Sequence, residues 1–404
     1  MSDEEGIARW NARCGGVENM IVTKVYPVSG RDATSFCRHR LRLFKNPDFT
    51  SDHLMRLHSV PAKHKKNVER QAAEIRHCLV QAEEYLASSA VASMATKPVL
   101  LYYALMSLAI AEILVKGTGN CRLAKLRESH AAHGLSLVVD GSVTTQAKTS
   151  AILQNARAVP QFRSVGHPYG TFEVWRELVR ECPVPGRLTE THAASASSSS
   201  VSVLFAGADV PPDQSPKSGY TLLHAVRGLP RMAEVLRSIE LEPAHVRTKI
   251  TAKIAAATGD GAIEIIVHPA TAEALAAFYE RITLSADAVN ALGVRELPSG
   301  LILTMPMVAN RLNTYMSLPP SVAYDGKTVF FLTNDWTLGE FGSFYVALSI
   351  CGNLARYYPD VWMTHVERST GFALLVQELC DLAFARLPIL CAGELDRCYY
   401  LDDD

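Results

Sequence analysis

The sequence has no excess of charge of either sign. Among its 404 residues, 40 are Lys or Arg and 41 are Asp or Glu. A protein that attracts nucleic acid through its overall field needs a clear cationic excess, because Lys and Arg supply most of the affinity for the phosphate backbone. An overall basic field is therefore excluded. Only a local cationic patch could hold a phosphate backbone.

Paired cysteines and an apolar leader are also missing. The nine cysteines form no CxxC pair, and an odd number cannot all be joined in disulfides. This pattern favours reduced thiols over a disulfide framework or a zinc site. The opening segment MSDEEGIARW is acidic and polar, whereas a secretory signal peptide opens with basic and then apolar residues. We therefore predict a cytoplasmic protein.

Motifs that would identify a cofactor or a hydrolase are absent as well. The sequence contains no GxGxxG, GxxxxGKS, GxxxxGKT, HExxH or GxSxG segment. These motifs mark phosphate-cradling loops, zinc proteases and the strained turn of a nucleophilic serine. We therefore predict no cofactor and no metal.

One apolar run stands out, KPVLLYYALMSLAIAEILVKGTG, which begins at Lys97. Its uninterrupted apolar part is shorter than the ~20 residues that cross a bilayer. Glu112 and Ser107 would also be costly in the middle of a membrane. The run therefore predicts a core helix of a soluble protein over 99–115, in contact with residues 343–355, and no membrane partner.

The segments around this run predict a mostly α fold with an inserted α+β segment. Apolar residues recur at helical spacing over 67–94, whereas β-branched alternation dominates 201–333. The C-terminal part returns to helix, with one helix at 339–358 and a second that begins at Thr370 and is expected to stop at Pro388. The predicted layout has four parts: an N-terminal helical region (1–186), a Pro/Ser/Ala-rich linker (187–200), the strand-rich insert (201–335) and a C-terminal helical region (336–404) that shares one core with the N-terminal helices.

Two segments resemble the YaaC-like family of bacterial cytoplasmic proteins. The first is KPVLLYYALMSLA, followed by HGLS at His133, and the second is SICGNLARYYPDVW, followed by ARLPIL. The regions of resemblance are 65–140 and 336–395. Their motifs are apolar, so the resemblance implies a helical fold rather than a particular chemistry.

A helix pair followed by an Arg/His segment is also similar to the HEPN superfamily, in which Arg and His at this spacing carry metal-independent RNA cleavage. The segment here is RESHAAH, with Arg127 and His133 as the core and His130 as a helper. An imidazole with a pKa near 7 can take a proton from a 2′-hydroxyl, while a guanidinium holds the phosphate. The alternative interpretation is a histidine that caps a helix or pins a loop, because an arginine and a histidine separated by four to six residues also occur at Arg70 and His77.

A second polar cluster lies in RYYPDVWMTHVER and consists of Arg356, Asp360, His365 and Glu367. The simplest interpretation is an Arg–carboxylate pair that fixes the turn at Pro359, with Trp362 and Tyr357 packed beneath it. A composite site with His133 requires that the two helix ends meet.

Two functions follow as alternatives. The first is a HEPN-like ribonuclease or toxin-type effector in phage defence, with RNA as its substrate. The second is a non-catalytic interaction or regulatory module that acts as a homo-oligomer or with a protein partner. The exposure of Arg127 and His133 distinguishes them, because a catalytic pair must face solvent.

Overall fold

The computed structural model describes most of the chain. The described residues are 24–28, 32–116, 122–124, 126, 133–162, 168–178, 190–195, 198–202, 216–254, 261–268, 271–281, 283–284, 293–297, 300–307, 316–317, 321–323, 328–333 and 338–402.

Helices dominate both ends of the described chain. In chain order they are α1 (Ala33–Phe44), α2 (Pro47–Leu57), α3 (Lys65–Val91), α4 (Lys97–Lys116), α5 (Thr149–Asn155), α6 (Thr171–Leu178), α7 (Leu222–Arg227), α8 (Ala233–Ser238), α9 (Ala272–Arg281), α10 (Glu340–Tyr357), α11 (Pro359–Glu367) and α12 (Gly371–Asp396). Short 3-10 turns at Ala62–His64 and Pro230–Met232 precede α3 and α8.

The strands are short and lie mostly in the middle of the chain. They are β1 (Lys24–Val28), β2 (Leu135–Val138), β3 (Arg157–Phe162), β4 (Pro168–Tyr169), β5 (Glu190–Ser195), β6 (Ser198–Ser202), β7 (Tyr220–Thr221), β8 (His245–Ile254), β9 (Gly261–Val267), β10 (Thr283–Leu284), β11 (Gly293–Leu297), β12 (Gly300–Met307), β13 (Met316–Ser317), β14 (Ser321–Ala323), β15 (Thr328–Leu332) and β16 (Cys398–Asp402). The fold is therefore mostly α with an inserted α+β segment, as predicted.

Helix α4 is the centre of the helical core. It packs against α3, α10, α12 and α6, and residues on all of its faces are buried. By length and composition it could cross a membrane, but most of it lies inside the protein. The predicted contact with 343–355 is confirmed, because the rings of Tyr102 and Tyr345 meet edge to face at 6.1 Å. An apolar helix with no polar face reaches this arrangement when its neighbours cover every side.

The two ends of the described chain close onto each other. Strands β1 and β16 pair in parallel, with Lys24 opposite Cys398. Arg40 on α1 forms a two-pronged ion pair with Asp396, the last residue of α12, at 3.0 and 2.7 Å. The N- and C-terminal helices are thus held together by backbone pairing and by a charge-assisted contact.

Helix α12 continues through Pro388, so the prediction that it stops there is wrong. Proline has no N–H to donate to the carbonyl four residues earlier, which here belongs to Phe384. Arg38 on α1 donates to that carbonyl at 3.4 Å, and Thr34 donates to the carbonyl of Ala385 at 3.2 Å. Helix α1 therefore supplies the donors that the proline cannot, and the helix tolerates the proline.

The insert contains an antiparallel sheet of six strands in the order β11-β12-β9-β8-β15-β14. Alternating side chains of β8 and β15 face the interior, with Val246, Thr248, Val329 and Phe331 buried, as expected for a sheet covered on one face. Within the predicted linker, β5 and β6 pair as a short hairpin.

The described cysteines are not joined in disulfides. They are Cys37, Cys78, Cys351, Cys380, Cys391 and Cys398, all buried. Burial raises the pKa of the Cys78 and Cys380 thiols to about 12, which keeps them protonated and unreactive.

Candidate functional site

The backbone at His133 is fixed by the turn that follows it. The carbonyl oxygen of His133 accepts a hydrogen bond from the backbone N–H of Phe172 at 3.2 Å. Gly134 has a φ of 94°, and a Cβ at this position would lie 3.0 Å from the Phe172 nitrogen. Only glycine fits this left-handed conformation and this close approach without strain. The turn therefore sets the direction in which the His133 side chain leaves the backbone.

The His133 side chain lies at the surface beside α4. The residue is exposed, and its ring meets the ring of Tyr102 edge to face at 6.0 Å. Partial burial of the ring lowers the pKa of His133 from its ordinary value, and the positive charge of Arg356 lowers this pKa further. The imidazole is therefore neutral at pH 7 and can accept a proton.

Arg356, near the end of α10, carries the positive charge next to His133. Its Nη1 donates to the hydroxyl of Tyr103 at 3.0 Å, and its Nη2 donates to the hydroxyl of Tyr357 at 2.9 Å. Its guanidinium carbon also lies 4.9 Å from the centre of the Tyr357 ring. Two phenol oxygens and an aromatic face thus orient the guanidinium and leave its charge unneutralised.

Tyrosine rings surround this guanidinium. Tyr85 on α3 stacks on Tyr103 of α4 at 5.5 Å, while Tyr357 is 62% exposed. We call Tyr85, Tyr103, Arg356 and Tyr357 the tyrosine–arginine patch. It is formed where the start of α4 meets the end of α10, and His133 lies at its side.

The predicted site residues differ in where the structure places them. Arg127 and His130 lie outside the described residues. His133 and Arg356, which belonged to separate predicted clusters, come together because α4 and α10 pack against each other. The structure thus brings one residue of each predicted cluster to the same surface, at the start of α4 and not at its end; a composite site of the two stays a prediction.

The predicted Arg–carboxylate pair at Arg356 is wrong. Among the described residues its partners are the hydroxyls of Tyr103 and Tyr357, and no carboxylate pairs with it. Helix α10 ends at Tyr357 and a new helix begins at Pro359, so Asp360 and Glu367 do not continue the helix face of Arg356. Both carboxylates are exposed. Tyr357 is exposed as well and does not pack beneath the turn, although Trp362 is fully buried as predicted.

His365 has a structural role. The residue is buried, its Nδ1 lies 3.1 Å from the hydroxyl of Thr370, and its Nε2 lies 3.2 Å from the carbonyl oxygen of Thr144. These bonds tie the start of α12 to the loop before α5. Because both ring nitrogens are hydrogen-bonded to protein oxygens, His365 has no free nitrogen for proton transfer.

The tyrosines of the patch are not among the site residues that the sequence predicts. A signal for them exists, because both segments of family resemblance carry a Tyr-Tyr pair, Tyr102–Tyr103 and Tyr357–Tyr358. One member of each pair binds Arg356. Among the described residues, no group of three or more His, Cys, Asp or Glu side chains could hold a metal ion.

The geometry suits recognition of a phosphate next to a base. A fixed guanidinium donates to phosphate oxygens, exposed tyrosine rings stack on nucleobases, and a neutral imidazole accepts a proton. These three functions are the elements of metal-independent phosphodiester cleavage.

Comparison with protein families gives a match over part of the chain. The model of the YaaC-like Protein family matches residues 42–152. The recognition of a YaaC-like segment is therefore confirmed over this range, which includes α4 and His133. The second segment of resemblance, at 336–395, lies outside the match and remains a prediction. No curated protein and no solved structure matches the chain.

Proposed function

We propose that this chain, which carries a YaaC-like domain, is a metal-independent ribonuclease whose site combines His133 with the tyrosine–arginine patch. The observation that carries the proposal is an exposed, neutral imidazole next to a guanidinium that is held by tyrosine hydroxyls and has no carboxylate partner among the described residues. Such a cleaving activity would fit a toxin-type effector, as the HEPN resemblance implies.

His133 is proposed as the general base. Because its pKa is lowered, it is unprotonated at neutral pH, and it can take the proton of a 2′-hydroxyl. The 2′ oxygen then attacks the adjacent phosphorus, a new O2′–P bond forms, and the P–O5′ bond breaks. Water supplies a proton to the departing 5′ oxygen. The products are a 2′,3′-cyclic phosphate and a 5′-hydroxyl, with no oxidant, reductant or metal consumed.

Arg356 is proposed to hold the scissile phosphate. Its fork-shaped guanidinium can donate two parallel hydrogen bonds to phosphate oxygens, and its charge offsets the negative charge that develops during attack. Tyr357, with most of its ring exposed, would stack on a base beside the phosphate. A single-stranded RNA suits this surface better than a duplex, because bases in a duplex are already stacked.

The proposed active unit is a homo-oligomer, since the chain as a whole is nearly neutral, with 40 cationic and 41 anionic side chains. A second copy would double the local positive charge along one RNA strand.

The proposed catalytic set also includes Arg127 and His130, which lie in the same RESHAAH segment as His133.

The test is cleavage of a fluorescently labelled single-stranded RNA in the presence of EDTA. Wild-type protein is expected to release fragments that end in a 2′,3′-cyclic phosphate. His133→Ala should lower the rate by about 100-fold or more, the usual contribution of a general base, with little change in melting temperature because the side chain is exposed. Arg356→Lys should also lose most of the activity, because lysine keeps the charge but lacks the fork.

His77→Ala is the matched control, since His77 is an exposed histidine on α3 with an arginine, Arg70, at similar spacing. It should cleave like wild type. Cleavage that survives His133→Ala, or that EDTA abolishes, would contradict the proposal. RNA binding without cleavage by the wild-type protein would leave the non-catalytic module as the function.

A further inference from the structure

A pocket with a volume of ≈ 180 Å³ lies between α1 and α3, and one residue of α4 also lines it. An apolar cavity of about 150 Å³ in another protein binds benzene. The pocket therefore has room for an apolar group of about six carbon atoms.

Leucine and alanine side chains form most of the pocket wall. Those of α3 are spaced three and four residues apart, so they lie on one face of the helix. The wall residues that are no more than 8% exposed are Leu41, Leu79, Ala82, Leu86 and Leu108. Protein interiors leave few unfilled spaces of this size. An apolar group that entered the pocket would be removed from water, which is favourable.

Three cationic side chains and a single carboxylate also line the pocket. Arg42 and Lys45 both form ion pairs with Glu83, the former at 3.3 Å. The hydrogen bond from Lys45 lowers the pKa of Glu83 from its ordinary value, so this carboxylate is ionised at pH 7. Arg38 is the third cation, and among the described residues no carboxylate pairs with it. The lining therefore keeps an excess of positive charge.

The guanidinium of Arg38 is held in one orientation. Its carbon lies 4.3 Å from the centre of the Phe384 ring, and its Nη2 donates a hydrogen bond to the carbonyl oxygen of Phe384 at 3.4 Å. A guanidinium fixed in this way can donate further hydrogen bonds to a carboxylate. Glu83 would repel a ligand with several negative charges. The lining thus matches a ligand with one negative charge next to an apolar tail.

We propose that this pocket binds a short alkyl carboxylate, with the tail against the leucines of α1, α3 and α4 and the carboxylate bonded to Arg38. A chain of about six carbons, as in hexanoate, suits the volume of the pocket. The proposal is independent of the proposed ribonuclease site, because the pocket contains neither His133 nor a residue of the tyrosine–arginine patch.

Titration of the full chain with straight-chain carboxylates of increasing length tests the proposal, with binding followed by ligand-detected NMR. From acetate to hexanoate the affinity should rise by about fourfold for each added CH₂ that is buried. Longer chains should add little, because the pocket is then full. Hexanol has a tail of the same length without the charge, and it should bind at least about 10-fold more weakly than hexanoate.

Ala87→Leu is expected to fill the pocket and leave the fold intact, because Ala87 lines the pocket but is exposed. It should weaken hexanoate binding by about 10-fold or more, the loss expected when about two CH₂ groups are no longer buried, at an unchanged melting temperature. Ala276→Leu makes the same change at an exposed position of α9 outside the pocket, and should bind hexanoate like wild type. Arg38→Gln should reduce the affinity for hexanoate to about that for hexanol.

Three results would overturn the proposal. The first is an affinity that does not depend on chain length, and the second is hexanol that binds as tightly as hexanoate. The third is Ala87→Leu with wild-type affinity for hexanoate, because the ligand would then lie elsewhere on the chain. If hexanoate did not bind and Ala87→Leu lowered the molar mass measured by light scattering, the pocket would be covered by a second copy, and the carboxylate ligand would be refuted.

Discussion

Replacing Leu105 with aspartate is expected to lower the free energy of unfolding by several kcal/mol. Leu105 is fully buried in the middle of α4, where four other helices cover every side. An aspartate there would be a charge without a partner in an apolar interior, which costs far more than a surface substitution. Urea denaturation followed by circular dichroism measures the change.

Leu374→Asp provides the matched control for this prediction. Leu374 is an exposed leucine on α12, at 52% exposure, so the same chemical change should alter the free energy of unfolding by no more than about 0.5 kcal/mol. If Leu105→Asp instead stayed within about 1 kcal/mol of wild type, or if the protein dissolved only in detergent, α4 would not be the centre of a soluble core.

Ionisation of Glu112 on α4 is expected to lower the free energy of unfolding as the pH rises from about 5 to about 8. Glu112 is fully buried, and its Oε2 accepts a hydrogen bond from Nε1 of Trp175 at 2.6 Å. Burial, together with the negative charge of Glu394, raises the pKa of Glu112 to about 8 from an ordinary value of 4.5. Glu394 itself pairs with Lys116 at 2.5 Å.

The direction of this pH dependence follows from the number of protons that the folded and the unfolded chain bind. Between about pH 4.5 and 8 the unfolded chain has lost the Glu112 proton while the folded chain keeps it. At Glu112 the folded state therefore binds more protons, and the contribution of this residue to the free energy of unfolding falls as the pH rises through this window. The full effect is on the order of a few kcal/mol, because each unit of pKa shift corresponds to about 1.4 kcal/mol.

Glu112→Gln isolates this effect, since glutamine keeps an oxygen to accept the Trp175 bond but does not ionise. The variant should be close to wild type near pH 5 and clearly more stable near pH 8, as measured by urea denaturation at each pH. Glu84→Gln, at an exposed position of α3, should show the same change of the free energy of unfolding with pH as wild type. If the free energy of unfolding of Glu112→Gln changed with pH in the same way as that of wild type, Glu112 would carry no proton in the folded state at neutral pH.

The helical core could be predicted because its signals are local. The spacing of apolar residues predicted a helix over 67–94, and α3 spans Lys65–Val91. The prediction for α4 was equally close, because a run with a single charged residue has no polar face and must be covered on all sides. The two extra residues at the start of α3 and its end at Val91 depend on contacts that the pattern does not contain.

The candidate site was predicted only in pieces. His133 was identified from its spacing to Arg127, and Arg356 from its place in a separate polar cluster. The hydrogen bond that unites the patch joins Arg356 to Tyr103, 253 residues away. No periodicity or spacing predicts a contact of that kind, because it exists only once α4 and α10 have packed.

The sequence by itself determined the long helices α3, α4 and α10, which helix is buried, and that the strands lie in an insert between helical regions. These properties follow from local periodicity and composition, which act before any long-range contact forms. Only the tertiary structure decided that α12 continues through Pro388 and that Arg356 binds tyrosines instead of a carboxylate. Each of these outcomes depends on donors or acceptors supplied by distant segments, because a polar group takes whichever partner folding brings within hydrogen-bonding distance.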